Sequence, residues 1–420
     1  MNDKYHYQGL GRNLQKELLG AWYDRLSHAR DQGRKVAYTF VPGNIAELLR
    51  VFDFELVFPE INSLQAAIKK TSGPLILAAE DHGYSSDVCA YVKNDVGMFL
   101  TGGCGPAGLP MPRPDILLCS YTGCTTFIKW FEALSHFLNV PLVMLDVPFL
   151  RDDEGITEAD RAYVVRQLEE LIPVCERVTG VPYDADRLRE ILKLSVVAED
   201  LWVDILLASR NRPSPFDAYF EAVFFMAPIY ALRGTPKCVD YYRKAKLEIQ
   251  ERLAFGIGPV ADERFRLVVE GPPPWTHFRA FWELFKKWGA VSVASSYSKV
   301  GGFWDEGFRH DPARPLESIA DYCMLCYTNQ HWGMRADLLR RYMERYAADA
   351  LVIHSVKSCR SFSMGQADLR EAFTRQDRVP TLMVESDLCD PRYFQEAQLR
   401  NRVDAFFESL QHRRIVGSAA

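Results

Sequence analysis

The sequence has no apolar run long enough to span a bilayer. Its longest uncharged stretch, residues 96–112, carries five glycines and three prolines, and its most apolar stretch, residues 222–232, is too short. The first fifteen residues lack the apolar core of a signal peptide, so a cytoplasmic location without membrane contact is expected. Neither sign of charge dominates: 50 Lys and Arg stand against 55 Asp and Glu, for a net charge of −5. That leaves no basic footprint for nucleic acid. Low-complexity tracts are missing, and 12% aromatic residues argue against disorder. No G-x-x-x-x-G-K-[ST] occurs, so this chain holds no P-loop for ATP. G-x-S-x-G, H-E-x-x-H and EF-hand patterns are also absent. The GGCG at residues 102–105 lacks the G-x-G-x-x-G pattern and reads as a loop.

What remains is an ordinary globular composition in 420 residues, enough for two or three domains. Short apolar runs alternate with helical patterns. Residues 35–41 (KVAYTFV), 55–58, 115–120 (DILLCS) and 141–147 (PLVMLDV) read as strands. Residues 45–52 and the segment after Cys124 read as helices, and 75–79 fits either form. Residues 157–253 have almost no strand signal, with helical stretches at 158–178, 184–209 and 217–232. Strands return at 266–270, 291–295, 349–355 and 381–385, with helices at 277–288 and 366–373. Such alternation predicts an α/β fold with parallel strands. We expect two similar Rossmann- or flavodoxin-like lobes around a central cleft, plus a helical layer. The expected boundaries are 1–155, 156–255 and 256–420.

The second half echoes the first. Asp115-ILLCSYTG-Cys124 is matched by Asp349-ALVIHSVKS-Cys359, and Asp87-Val-Cys89-Ala-Tyr91 loosely by Met324-Leu-Cys326-Tyr327. This pattern suggests a diverged duplication.

Ten cysteines are the most informative feature. In a long cytosolic chain they read as core thiols, metal ligands or redox groups rather than disulfides. Open parallel sheets bind ligands beyond the carboxyl ends of their strands. Cys124 and Cys359 both fall there, and Cys89 follows a helix-start signal, Ser85-Ser86-Asp87. Three such thiols from distant positions suit an iron–sulfur cluster. The competing reading is that each is a buried core residue. Cys119 and Cys175 read as core; Cys104 and Cys238 have no evident partner. Cys323 and Cys326 form a single C-x-x-C, which is weak for zinc. His310 and His331, in polar segments, and the strand-end acids Glu385 and Asp387 are candidate proton donors, with a plain surface histidine as the competing reading of the first two.

At four ordered segments the chain resembles the 2-hydroxyacyl-CoA dehydratase / benzoyl-CoA reductase family. These are DVCAYVK (87–93), LLCSYTGCTTFIKWFE (117–132), SVKSCRSFSMGQ (355–366) and VESDLCDPRYF (384–394). VPGNIAELLRVFD (41–53), PEINSLQ (59–65), YSKVGGFWDEGFRHDPARPLES (297–318) and DYCMLCYTNQ (321–330) look closer to the reductase subunits. Arg360, directly after Cys359, departs from that type.

The resemblance implies two α/β lobes and a [4Fe-4S] cluster held by Cys89, Cys124 and Cys359. It implies ATP-driven reduction of an aryl-CoA ring to a cyclic dienoyl-CoA. The first electron destroys aromaticity, and clusters reach only about −700 mV at their lowest. A homologous second cluster-binding subunit, ATP-hydrolysing activator subunits and, indirectly, ferredoxin are the implied partners. The missing P-loop agrees with ATP binding elsewhere. The alternatives are an (R)-2-hydroxyacyl-CoA dehydratase subunit, which removes water by a radical route, and an iron–sulfur electron-transfer protein outside acyl-CoA chemistry.

Overall fold

A computed structural model describes residues 6–299 and 302–418. Val300 and Gly301, inside the YSKVGGFWDEGF segment, lie outside the described residues. Among the described residues, eight strands form two parallel four-stranded sheets. The first contains β1 (Val36–Thr39), β2 (Glu55–Val57), β3 (Ile116–Ser120) and β4 (Leu142–Leu145), in the order β2-β1-β3-β4. The second contains β5 (Phe265–Glu270), β6 (Ala290–Ser295), β7 (Ala350–Val356) and β8 (Thr381–Ser386), in the order β6-β5-β7-β8. Counted within each half, the order is identical. Strands covered by helices on both faces read as continuous apolar runs, which is why they are legible in the sequence; β1, β3, β5 and β7 are buried along their whole lengths.

One device recurs at the start of each central strand pair. The Asp115 carboxylate accepts the Val36 N–H at 2.9 Å, and Asp349 accepts the Arg266 N–H at 2.7 Å. Each aspartate also donates its own N–H back, to the Val36 and Arg266 carbonyls, both at 2.8 Å. The aspartate thus sets the register of β1 with β3 in one half and β5 with β7 in the other.

A helical layer separates the sheets in sequence, comprising Glu158–Thr179, Ala185–Leu207, Val223–Ala231 and Pro236–Ala254. Its starts follow ordinary capping chemistry: Thr157 and Asp160 form a capping box, and Asp184 accepts from Asp186 and Arg187. One open reading is settled and one expectation changes. Residues 75–79 are helical, within Ser72–Asp81. Residues 217–222 are not a regular helix, because the buried Asp217 carboxylate accepts the N–H groups of Tyr219, Phe220 and Ser292. That ties the segment to β6, and the helix starts only at Val223.

The helix Leu10–Ser27 carries a weak sequence signal and packs on Val223–Ala231 and Pro236–Ala254. Glu248 anchors its start by accepting the N–H groups of Gly9 and Gly11 at 3.0 and 2.7 Å. Among the described residues no helix is long and apolar enough to cross a membrane.

Candidate active site

The carboxyl ends of both sheets open onto one cavity of about 710 Å³. Equivalent strands contribute equivalent positions. Pro42 follows β1 and Pro272 follows β5. Glu60 follows β2 and Tyr297 follows β6. Cys124 follows β3 and Cys359 follows β7. All six line the cavity, together with Cys89. The walls are largely apolar and include the aromatic rings of Phe127, Trp130, Trp275 and Phe362, while the exposed cations Arg12, Lys16 and Lys69 stand on its lining.

Each of the three thiols belongs to the residue immediately before a helix: Cys89 before Ala90–Leu100, Cys124 before Thr125–Leu138, Cys359 before Arg360–Ser363. None makes a full capping bond through its sulfur. The leading amide groups nevertheless lie close enough to favour thiolate: Tyr91 and Val92 for Cys89, Phe127 and Thr126 for Cys124, Phe362 for Cys359. Burial works in the opposite direction and dominates. It pushes Cys89 up to about 12, and also raises Cys124 and Cys359. The thiols raise one another as well, Cys124 acting on Cys89, and both acting on Cys359.

Cross-lobe hydrogen bonds hold the three loops together. Ala90 N–H donates to Ser358 Oγ at 3.1 Å, joining the residue after Cys89 to the residue before Cys359. Ser361 Oγ donates to the Gly123 carbonyl at 3.3 Å, and Thr328 Oγ1 to the Thr122 carbonyl at 2.7 Å. Gly123 has φ +76°, and a Cβ there would meet the Thr328 carbonyl oxygen at 1.8 Å, so no other residue fits this approach.

Among the described residues, no group of three or more His, Cys, Asp or Glu is arranged to hold a single metal ion. A cubane makes a different demand, because each thiolate binds its own iron corner and the sulfurs stand apart around the cluster. Three thiols around one cavity, each under a helix start, fit that demand. A fourth cysteine would be missing for such a group, since among the described residues no other cysteine lines the cavity.

The other sequence candidates lie elsewhere. His310 is not a surface residue: it is 2% exposed, with Nδ1 at 2.5 Å from Glu199 Oε1 in the helical layer. His331 begins the helix Trp332–Arg345, where its Nδ1 accepts the Gly333 N–H and its Nε2 pairs with Asp153 at 3.1 Å. Glu385 is exposed on β8, 3.6 Å from Lys357. None of the three lines the cavity. Asp387 is a buried positioning group that accepts the N–H groups of Ser358, Cys389 and Asp390. Arg360 is exposed. Cys119, Cys175, Cys238, Cys323 and Cys326 are buried, as is Cys389, while Cys104 is exposed. Cys238 lies inside the helix Pro236–Ala254, its thiol donating to the Pro228 carbonyl.

Sequence reasoning missed a buried acid on the cavity lining, Glu60. Glu60 Oε1 accepts the Val41 N–H at 3.0 Å, but Oε2 has no partner among the described residues. Burial pushes its carboxyl up to about 8, against the pull of that N–H bond, with Asp95 adding a smaller push. Asp95 is itself raised to about 7 by burial, although the Trp130 indole donates to it at 2.8 Å. Near neutral pH Glu60 is therefore mostly protonated and able to donate. Its place in the first turn of Pro59–Ile68 resembles ordinary helix-start chemistry, so only its burial marks it out.

Residues 39–410 match the family model described as 2-hydroxyglutaryl-CoA dehydratase, D-component. The chain is 49% identical over 414 residues to a benzoyl-CoA reductase subunit of Thauera aromatica, covering 97% of this chain and 96% of that one. It is 28% identical over 406 residues to the alpha subunit of (R)-2-hydroxyisocaproyl-CoA dehydratase from Clostridioides difficile, covering 95% of each. With the (R)-phenyllactyl-CoA dehydratase alpha subunit of Clostridium sporogenes it shares 25% over 403 residues, or 94% of each. The chain therefore belongs to the 2-hydroxyglutaryl-CoA dehydratase D-component family, an enzyme family that includes these acyl-CoA reductase and dehydratase subunits.

Proposed function

We propose that this chain is the substrate- and cluster-holding subunit of an ATP-dependent benzoyl-CoA reductase. The observation that carries the reading is the single cavity with three thiols and aromatic rings on its walls. The similarity to a benzoyl-CoA reductase subunit, well above that to the dehydratase subunits, supports the same class. In this reading Cys89, Cys124 and Cys359 hold a [4Fe-4S] cluster. Bound there, the cluster supplies low-potential electrons and one iron corner free of protein thiolate. Leading helix amides compensate the negative charge of the sulfurs.

Phe127, Trp130, Trp275 and Phe362 pack around the arene and keep water from it. Arg12, Lys16 and Lys69 meet the CoA phosphates at the entrance. Reduction of the ring takes two electrons and two protons and leaves a cyclic dienoyl-CoA. Glu60, protonated and on the cavity lining, delivers one of those protons. His310, His331 and Glu385 stand too far back in the fold for that role.

Electrons reach the site from separate ATP-hydrolysing activator subunits that draw on ferredoxin, and a homologous second cluster-binding chain completes the complex in the cytoplasm. The test is anaerobic purification with the partner subunits, followed by assay with benzoyl-CoA, ATP and reductant. Iron, acid-labile sulfide and dienoyl-CoA formed with net electron consumption are expected. A colourless, iron-free complex would sink the cluster assignment. Enoyl-CoA formed from a 2-hydroxyacyl-CoA, with only catalytic electrons, would move the chain to the dehydratases.

A further inference from the structure

Of the three thiol-bearing turns, the one at Cys359 has the least helix of its own to hold it. Cys89 and Cys124 precede helices of 11 and 14 residues, whereas Arg360–Ser363 has four. A helix that short leaves its last carbonyls without partners of its own. Two of them are taken by one side chain. Arg335 Nη1 donates to the Ser361 carbonyl and Nη2 to the Phe362 carbonyl, both at 3.2 Å. Arg335 stands in the first turn of Trp332–Arg345 and is 4% exposed. Its Nη2 also donates to Glu270 Oε1 at 2.6 Å. Glu270, the last residue of β5, is wholly buried and accepts from the Tyr327 hydroxyl at 3.2 Å and from Gln366 Nε2 as well. The guanidinium lies 4.7 Å from the Tyr327 ring centroid and 5.8 Å from that of Phe362. A carboxylate, two carbonyls and two rings thus hold one buried cation against the Cys359 turn.

We propose that Arg335, seated on Glu270, is a positioning residue that holds the Cys359 turn at the spacing the cluster requires. This rests on the cluster site proposed above and names what keeps it in register. The same turn carries Phe362 into the cavity lining, so one guanidinium sets a cluster ligand and a piece of the substrate wall together. Net charge is not what the device adds, because the buried Glu270 carboxylate pairs with the cation. Its contribution is geometric: the planar fork reaches two carbonyls and a carboxylate at once, whereas a Lys ammonium is a compact point charge. Ser361 carries the hold onward, since its Oγ donates to the Gly123 carbonyl beside Cys124.

The test reads each thiol separately. The full chain, freed of metal, is alkylated with iodoacetamide, and the labelling of each cysteine is followed by mass spectrometry. In Arg335→Lys, Cys359 reacts about 10-fold faster than in the wild type, because the bonds that hold its turn are lost. Cys89 and Cys124, each on a longer helix, change little. The double variant Arg335→Met with Glu270→Gln removes both buried charges, which spares the fold the cost of an unpaired one, and shows the same Cys359-selective rise. In the anaerobic holo complex both variants release iron to a chelator about 10-fold faster and broaden the EPR spectrum of the reduced cluster. Unchanged Cys359 labelling in both variants overturns the proposal and leaves the proposed function standing. An equal rise at the buried Cys175 and Cys238 also overturns it, because Arg335 would then be a general support of the fold. A wild-type complex without iron overturns the cluster site, and with it this role for Arg335, whatever the labelling rates.

Discussion

The two halves of the molecule build the same frame and furnish it differently. Strand order, the Asp115 and Asp349 clamps and the cysteine after the third strand all coincide. What differs is the chemistry at matched strand ends. After the second strand, the first half presents a carboxyl, Glu60, and the second half a phenol, Tyr297. Before the third strand, the first half brings Cys89 to the cavity. The residue matched to it by sequence, Cys326, is buried, with its thiol donating to the Tyr322 carbonyl. A duplicated fold thus yields an asymmetric site: two thiols come from one half and one from the other, and an acid at one strand end is matched by a hydroxyl at the other. Symmetry is kept where the backbone needs it and lost where a ligand would be touched.

The most severe way to break this comparison is at the cysteines. Cys124→Ser and Cys359→Ser occupy equivalent positions, and each is expected to remove most bound iron and nearly all activity. Cys326→Ser and Cys175→Ser, both in the core, should keep their iron. Iron and sulfide assays on anaerobically purified complexes check this, and equal iron in all four variants would refute the ligand assignment. Next in size is Glu60→Gln, which keeps the shape and removes the transferable proton. A fall in kcat of about 10²–10⁴ is expected, with benzoyl-CoA affinity retained. Wild-type kcat should decline above about pH 8 as the Glu60 carboxyl ionises, and that limb should vanish in the variant.

Much of this frame is legible in the chain because buried parallel strands read as apolar runs, and because a thiol between a strand and a helix has few structural reasons to be there. DILLCS and DALVIHS announce β3 and β7, and the similar run from aspartate through strand to cysteine announces the duplication. Cys89, Cys124 and Cys359 do come to one cavity. The proton donors are not legible. His310 and His331 stand out as histidines, yet one is spent on Glu199 and the other starts a helix. Glu60 looks like a helix-start acid, and its raised pKa arises from burial that no local pattern encodes. The helix Leu10–Ser27 escapes a sequence reading because its anchor, Glu248, lies more than two hundred residues away in sequence.

Smaller in effect, the same carboxyl gives stability a pH dependence. Folding holds the Glu60 proton up to about pH 8, whereas an ordinary glutamate releases it near 4.5. Between those values the unfolded chain binds fewer protons than the folded one, so stability falls as pH rises. Asp95 and Asp217, both raised to about 7 by burial, act with the same sign. Thermal unfolding midpoints from pH 5 to 8.5 should therefore decline in the wild type and decline less in Glu60→Gln. Parallel curves would mean that Glu60 is ionised in the folded protein throughout.

The finest comparison lies between the two aspartate clamps. Each carboxylate accepts one strand N–H, and each also pairs with a partly exposed cation: Lys35 at 3.1 Å from Asp115, Arg414 at 2.7 Å from Asp349. Exposed pairs contribute about 0–1 kcal/mol, so the backbone bond should decide the cost. Losing a charge-assisted acceptor of this kind costs about 1.5–3 kcal/mol. Asp115→Ala and Asp349→Ala should therefore destabilise to a similar degree in chemical denaturation. The clamps belong to different sheets and share no partner, so the double variant should cost about the sum. A much larger loss for Asp349→Ala would assign weight to the Arg414 pair, which tethers the C-terminal helix Glu396–Ser418 to the second sheet. The two halves would then differ in how their sheets are closed at the edge as well as in what their strand ends present to the cavity.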